Sequence, residues 1–161
     1  MDNIIKVGMA DLNIVKHSGI ITTLGLGSCV GIVLYDKVCK MGGLAHIMLP
    51  CSTQVKNNSN KAKFADTGIL ELVRLMESEG AKKSNMVAKL AGGAQMFNFA
   101  HALELMNIGQ RNVIASKEVL KSLNIPVIAE DTGGNYGRTI ELHTDDGMLY
   151  IKTVGYGVKK I

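Results

Sequence analysis

The first third of the chain consists of short apolar runs separated by glycine-containing or polar turns. The runs are rich in isoleucine and valine and cover residues 4–9, 11–15, 19–24, 29–35 and 42–49. Runs of this length and composition predict β-strands. The connection at residues 36–41 is short, which favours an antiparallel hairpin between the last two strands.

A first helix is predicted just beyond a polar loop that follows Pro50. It begins near residues 64–67 and ends at Gly80, a residue type that commonly stops helices. Its apolar residues recur at helical spacing and are predicted to form the buried face: Ile69, Leu70, Leu72, Val73, Leu75 and Met76.

The second half of the chain is predicted to mix strands and helices. A second helix follows residues 107–110 and continues through Lys121, with Val113, Ile114 and Leu120 facing inward. Residues 96–106 give no clear pattern. Strands are predicted at residues 87–90, 126–129, 139–143 and 148–154, and the last two form a hairpin around the turn at residues 144–147.

The order of these elements indicates the fold class. Helices do not alternate strictly with strands, so a doubly wound parallel sheet is disfavoured. The pattern predicts an α+β protein, an α/β sandwich in which two packed mixed β-sheets are flanked by two or three helices. With 161 residues, the chain is expected to form one domain over residues 1–161.

Composition excludes several classes of function. The net charge is only +4, aromatic residues make up 4% and tryptophan is absent, so a nucleic-acid-binding surface is not expected. No apolar run approaches the roughly 20 residues of a membrane helix, so membrane insertion is not expected either. The N-terminus lacks the pattern of a signal peptide, which predicts a cytoplasmic protein.

The cysteines predict free thiols. There are three, at positions 29, 39 and 51, and no two of them form a CxxC pair. An odd number at these spacings argues against a disulfide framework and against a structural zinc site. No metal or cofactor is expected.

Cys29 and His46 are the strongest candidates for chemistry. Cys29 follows a loop with two glycines, Gly25 and Gly27, and opens one strand of the predicted hairpin, while His46 lies in the other. Each has an ordinary structural alternative, because a buried cysteine or a hydrogen-bonded core histidine is common. If the strands pair, however, the thiol and the imidazole meet, and the pairing is expected to favour the nucleophilic thiolate.

The residues around the two candidates complete a possible catalytic site. A histidine that acts as a base needs a third group on its other ring nitrogen, and Thr23, just before the glycine turn, is the local candidate. Backbone N–H groups at Gly25, Gly27 and Ser28 could form an oxyanion hole beside the nucleophile. Cys39 and Cys51 have no evident base and are predicted to be inactive.

Two other motifs are weak. The glycines at residues 25–31 superficially match a dinucleotide-binding fingerprint, but a strand follows them where a pyrophosphate site needs a helix. Asp131-Thr132-Gly133 matches the aspartic-protease tripeptide, yet the chain has only one copy, and residues 131–135 are better interpreted as a turn.

Six segments taken together resemble the CheD family of bacterial chemotaxis proteins, the chemoreceptor glutamine deamidases. They occur in family order across nearly the whole chain and read TLGLGSC (residues 23–29), AHIMLP (45–50), KFADT (63–67), AGGA (91–94), NIGQRN (107–112) and AEDTGGN (129–135). The family's catalytic cysteine, histidine and threonine fall on Cys29, His46 and Thr23. The departure is Cys51 after Pro50, where an acidic residue is common in the family.

The resemblance implies a protein-glutamine glutaminase, a cysteine amidohydrolase that converts glutamine side chains of methyl-accepting chemotaxis receptors to glutamate and releases ammonia. It also implies the sandwich fold of the deamidase domain of cytotoxic necrotizing factor toxins. A further implied partner is CheC, a phosphatase of the response regulator CheY that CheD proteins bind and stimulate. Phe97 and Phe99 are candidate anchors for CheC. The alternative function is mainly non-catalytic, an adaptor that regulates CheC and binds receptors.

Overall fold

Two five-stranded sheets form the framework of the protein in a computed structural model that describes residues 3–96 and 107–161. The first sheet, in spatial order, contains β1 (Asn3–Val7), β3 (Gly19–Leu26), β8 (Arg138–His143), β9 (Leu149–Thr153) and β10 (Gly157–Lys160). The second, in spatial order, contains β2 (Asp11–Val15), β5 (Met41–Ile47), β4 (Val30–Asp36), β6 (Met86–Gly92) and β7 (Val127–Thr132). Both sheets are mixed, because β1–β3 and β6–β7 are parallel pairs whereas the hairpins β4–β5 and β8–β9 are antiparallel.

Two helices cover the outer face of the second sheet. Helix α1 (Ala65–Ser78) contacts β2 and β5, and helix α2 (Ile108–Ser122) contacts β4, β6 and β7. The apolar cluster beneath them includes Ile32, Leu72 and Leu90. Because side chains alternate along a strand, the other face of this sheet is left to pack against the first sheet.

The interface between the two sheets is a second apolar cluster. It joins Ile21 and Ile140 of the first sheet to Val33 and Leu44 of the second, and it also includes Cys29. The predicted α+β sandwich of two packed mixed sheets with flanking helices is therefore confirmed. None of the helices in the described ranges is long and apolar enough to cross a membrane.

Several details of the prediction were wrong. Leu70 and Ile114, both predicted to face inward, are about half exposed, because each lies just outside the stripe that its helix buries. Strand β10 was missed because its residues are all exposed and it pairs only with β9. Residue Asp131 belongs to β7 and not to a turn; the chain turns at the next two glycines, where the backbone φ is positive.

We predict that Leu72→Ala lowers the free energy of unfolding by about 2–5 kcal/mol, because Leu72 is completely buried between α1 and the second sheet. Leu70→Ala, on the exposed side of the same helix, should change it by no more than about 0.5 kcal/mol. Urea unfolding followed by circular dichroism measures both. Equal losses in the two variants would contradict the assigned helix face.

Candidate active site

Thr23, Cys29 and His46 lie in three segments that face the interface between the two sheets. Thr23 lies in β3 of the first sheet, and His46 lies in β5 of the second sheet. Cys29 immediately precedes β4, the strand that pairs with β5. All three side chains are buried.

Strand pairing relates the position of Cys29 to that of His46. Gly31 pairs directly with His46 in the antiparallel hairpin, and Cys29 lies two residues before Gly31. Cys29 itself lies in the bend just before β4, so the register brings the start of that strand, and not the cysteine directly, beside His46. Gly31 adds no side chain at this point. Both face the first sheet, since Cys29 belongs to the inter-sheet cluster and His46 contacts Thr23.

The hydroxyl of Thr23 determines which ring nitrogen of His46 carries the proton. Thr23 Oγ1 donates to the carbonyl oxygen of Val7 at 2.7 Å and lies 2.7 Å from His46 Nδ1. A hydroxyl has one hydrogen, so Thr23 must accept its second hydrogen bond from Nδ1–H. His46 Nε2 is then left with a free lone pair, and within the described part of the chain this buried atom has no hydrogen-bond partner.

Burial favours the uncharged forms of both candidate groups. It raises the pKa of the Cys29 thiol above its ordinary value of 9.0, an effect that the residue's own backbone N–H partly offsets. It lowers the pKa of His46 below 6.5. Burial therefore works against the expected thiolate in the free protein, because desolvation penalises the thiolate and the imidazolium alike.

The loop before β4 is held through its carbonyl groups. Gly27 accepts a hydrogen bond from the N–H of Ala94 at 2.9 Å, and Cys29 accepts one from the N–H of Gly93 at 2.8 Å. Gly92 has a φ of +104°, and a Cβ at this position would collide with the carbonyl oxygen of Cys29. The glycine-rich segment after β6 therefore lies directly against the candidate nucleophile.

Gly25 and Ser28 have different positions around this loop. Gly25 lies in β3, where the register with β8 shifts, and its φ of +69° suits glycine. Ser28 directly precedes the candidate nucleophile, and its carbonyl oxygen accepts a hydrogen bond from the side chain of Asn112 on α2 at 2.9 Å. The structure thus places Gly27 and Ser28 next to Cys29 and gives Gly25 a role in the preceding bulge.

A buried ion pair supports the glycine-rich segment from behind. Arg138 Nη2 lies 3.1 Å from Asp131 Oδ1, and Arg138 Nη1 donates to the carbonyl oxygen of Gly92 at 3.4 Å. Lys159 adds a second ion pair to Asp131 at 2.8 Å. Asp131, the aspartate of the protease-like tripeptide, therefore forms ion pairs with both Arg138 and Lys159.

Asn112 is a site-adjacent residue that sequence reasoning missed. It is completely buried in α2, and its side-chain amide reaches Ser28 and, at 3.0 Å, the carbonyl oxygen of Met48. The sequence feature that could have indicated a buried role for Asn112 is its position directly before Val113, on the apolar side of the predicted helix.

The remaining candidates lie elsewhere or outside the described residues. Cys39 is exposed, and Cys51 is half-buried with its sulfur 2.9 Å from Thr53 Oγ1. Phe97 and Phe99, the candidate anchors, lie outside the described residues. Across residues 3–96 and 107–161, no group of three or more His, Cys, Asp or Glu side chains is arranged to hold a metal ion.

The fold resembles a solved structure of very different sequence. A Neisseria meningitidis protein of the DUF152 family superimposes with a TM-score of 0.52 at 8% identity, over 84% of this chain and 65% of that one. At this identity the likeness concerns only the fold. The molecule is thus an α+β sandwich with a buried thiol and a buried imidazole at the interface between its two sheets.

Sequence comparisons identify the family. The model of the CheD family, described as chemotactic sensory transduction, matches residues 48–153. A protein of Caldanaerobacter subterraneus named probable chemoreceptor glutamine deamidase CheD is 61% identical over 98% of both chains. A protein of the same name from Lachnoclostridium phytofermentans is 59% identical over the full length of both. The chain belongs to the CheD family.

We predict that the pKa of the Cys29 thiol in the folded protein lies above its ordinary value, because burial raises it. In a Cys39→Ser/Cys51→Ser variant, Cys29 is the only thiol, and its rate of alkylation by iodoacetamide reports the thiolate fraction. The rate should rise with pH to a midpoint above 9.0, whereas the same variant in denaturant should show an ordinary midpoint. A rate in the folded protein that is already constant by pH 7 would instead indicate a preformed thiolate–imidazolium pair.

Proposed function

We propose that this protein is a chemoreceptor glutamine deamidase with Cys29 as nucleophile, His46 as general base and acid, and Thr23 as the residue that orients His46. The observation that carries the proposal is the Thr23 hydroxyl, which donates to Val7 and therefore accepts from His46 Nδ1. This arrangement leaves Nε2 unprotonated and able to accept a proton, and the proposal is that this proton comes from Cys29. The names of the similar relatives support the glutamine substrate.

The first half of the reaction forms a thioester. The Cys29 sulfur attacks the carboxamide carbon of a glutamine side chain while His46 Nε2 accepts the thiol proton. The imidazolium and the negatively charged oxygen therefore form only while the C–S bond forms. This suits two buried groups, because burial disfavours a separate thiolate and imidazolium before the reaction. The imidazolium then gives its proton to the departing nitrogen, the C–N bond breaks and ammonia leaves.

The second half restores the enzyme. A water molecule attacks the thioester carbon and His46 Nε2 removes its proton. The C–S bond breaks, the sulfur regains a proton from the imidazolium and the product is a glutamate side chain. No cofactor is needed, since water and the amide supply every atom.

Backbone N–H groups near Gly27, Ser28 and Cys29 would stabilise the oxyanion. The carbonyl groups of these three consecutive residues are each held by a donor, from Ala94, Asn112 and Gly93 respectively. Each carbonyl shares its peptide plane with the N–H of the next residue, so the bonds to the carbonyls of Gly27 and Ser28 fix the directions of the Ser28 and Cys29 N–H groups. Donors that are oriented before the reaction need no reorganisation during it.

We predict that Cys29→Ala abolishes deamidation and that His46→Ala lowers kcat by about 10²–10⁴-fold, because one removes the nucleophile and the other the base. Cys39→Ser and Cys51→Ser, which change thiols that are not part of the proposed catalytic site, should retain most of the activity. Ammonia release and mass spectrometry of a receptor cytoplasmic fragment measure the reaction. Full activity in Cys29→Ala, or loss in folded Cys39→Ser, would refute the assignment.

We also propose binding to a CheC-type phosphatase, which rests on family membership. A deamidase of intact receptors must accept glutamines that project from a helix. The surface around its catalytic site therefore has to be able to contact one side of a helix. The proposal is that CheC covers the same surface around Cys29. The main alternative, a non-catalytic adaptor for CheC and receptors, differs in releasing no ammonia from a receptor fragment.

If the two binding surfaces overlap, CheC should raise the apparent KM for the receptor fragment and leave kcat nearly unchanged. Steady-state deamidation at several CheC concentrations gives both constants, with a heat-denatured CheC sample as the control. A fall in kcat at constant KM would show that CheC acts from a different surface.

A further inference from the structure

The side chain of Asn112 connects the two strands that carry the candidate catalytic residues. One hydrogen of its amide is donated to the carbonyl oxygen of Ser28 at 2.9 Å and the other to that of Met48 at 3.0 Å. Ser28 directly precedes Cys29, and Met48 follows His46 by two residues. Both partners are carbonyls, which can only accept, so the amide nitrogen and not the oxygen must face them.

The two carbonyls lie where the backbone pairing ends. Val30↔Ile47 is the last pair in the register of β4 and β5, and Ser28 and Met48 both lie beyond it on the same side. The Asn112 amide therefore continues the connection between the strands at the point where their own hydrogen bonds stop. Cys29 lies at this point, directly before β4 begins.

The bond to Ser28 also fixes the orientation of a backbone donor. Ser28 C=O and Cys29 N–H belong to one planar trans peptide, so they point in opposite directions. Holding the carbonyl toward α2 turns the Cys29 N–H the other way.

Helix α2 is docked closely enough to hold this amide in place. A Cβ at Gly109 would collide with the carbonyl oxygens of Gly93 and Ala94, so only glycine lets the first turn of the helix approach this segment. Asn112 follows one turn later and is completely buried. Within the described part of the chain, its Oδ1 is buried without a hydrogen-bond partner.

We propose that Asn112 is a positioning residue for deamidation, which holds Cys29 at its working distance from His46 and aims the Cys29 N–H at the oxyanion. It acts through Ser28 and Met48 and touches no reacting atom. The expected loss of catalysis rests on the proposed function. The expected change in the position of Cys29 does not depend on it.

The test compares Asn112→Leu with two controls on the same helix. Leucine has a similar size and removes both donated hydrogen bonds without adding a charge. Ser116→Ala alters the same buried face one turn further on, and Leu120→Ala creates a cavity at a fully buried position near the helix end. Each variant is made with and without Cys39→Ser/Cys51→Ser, so that alkylation reports Cys29 alone.

Deamidation of a receptor fragment should separate Asn112 from the controls. In Asn112→Leu, kcat should fall by about 100-fold, because a displacement of reacting groups by about 1 Å has an effect of this size. KM should change by less than about threefold. Ser116→Ala and Leu120→Ala, corrected for the folded fraction from urea curves, should keep kcat near that of the parent. Equal kcat losses in Leu120→Ala and Asn112→Leu would overturn the proposal, because general destabilisation would then explain both.

Alkylation of Cys29 gives a second result that needs no receptor. Loss of the connection should let water reach the thiol, so its ionisation midpoint should move down toward 9.0 in Asn112→Leu and stay unchanged in both controls. An unchanged midpoint in Asn112→Leu would overturn the proposal. If the parent protein itself releases no ammonia, the proposed function fails, and the alkylation midpoints still decide whether Asn112 holds Cys29 in place.

A smaller substitution covers the case in which leucine prevents folding. Asn112→Ser can donate to only one of the two carbonyls and adds no bulk. It should show the same directions of change in kcat and in the alkylation midpoint. A folded Asn112→Ser variant with parental values of both would refute the positioning role.

Discussion

The hydrogen bond between Thr23 and His46 joins the two sheets at the place where the chemistry is proposed. Its length of 2.7 Å depends on the close packing of one sheet on the other, since the two residues belong to different sheets. The same packing buries Cys29 and removes water from both reacting groups. The inter-sheet core thus sets the ring orientation, the tautomer and the solvation of the site together.

Burial explains why the free protein keeps its reacting groups neutral. A thiol with a raised pKa is a weak nucleophile, and an imidazole with a lowered pKa is a free base at neutral pH. Proton transfer must then accompany attack on the substrate. In the proposed reaction, this coupling would favour substrates whose bound carbonyl meets oriented backbone donors, because such donors stabilise the charge that develops.

The sequence allowed much of this arrangement to be predicted, for local reasons. Short β-branched runs predicted the strands, and a hairpin with a fixed register brings the start of the strand after Cys29 beside His46. Asn112 could not be predicted in this way, because its partners Ser28 and Met48 are more than sixty residues away along the chain. The exposure of Ile114 was also missed, since helical periodicity does not determine which of two adjacent apolar residues the sheet covers.

The protonation state of the His46 ring tests the central claim most directly. Nitrogen-15 NMR of histidine-labelled protein distinguishes the two neutral tautomers from the imidazolium. At pH 7 the account predicts that His46 is neutral, with the proton on Nδ1 and a free Nε2, and that Thr23→Val removes this preference. A proton on Nε2, or a charged His46 at pH 7, would contradict the account, because neither form could accept the Cys29 proton.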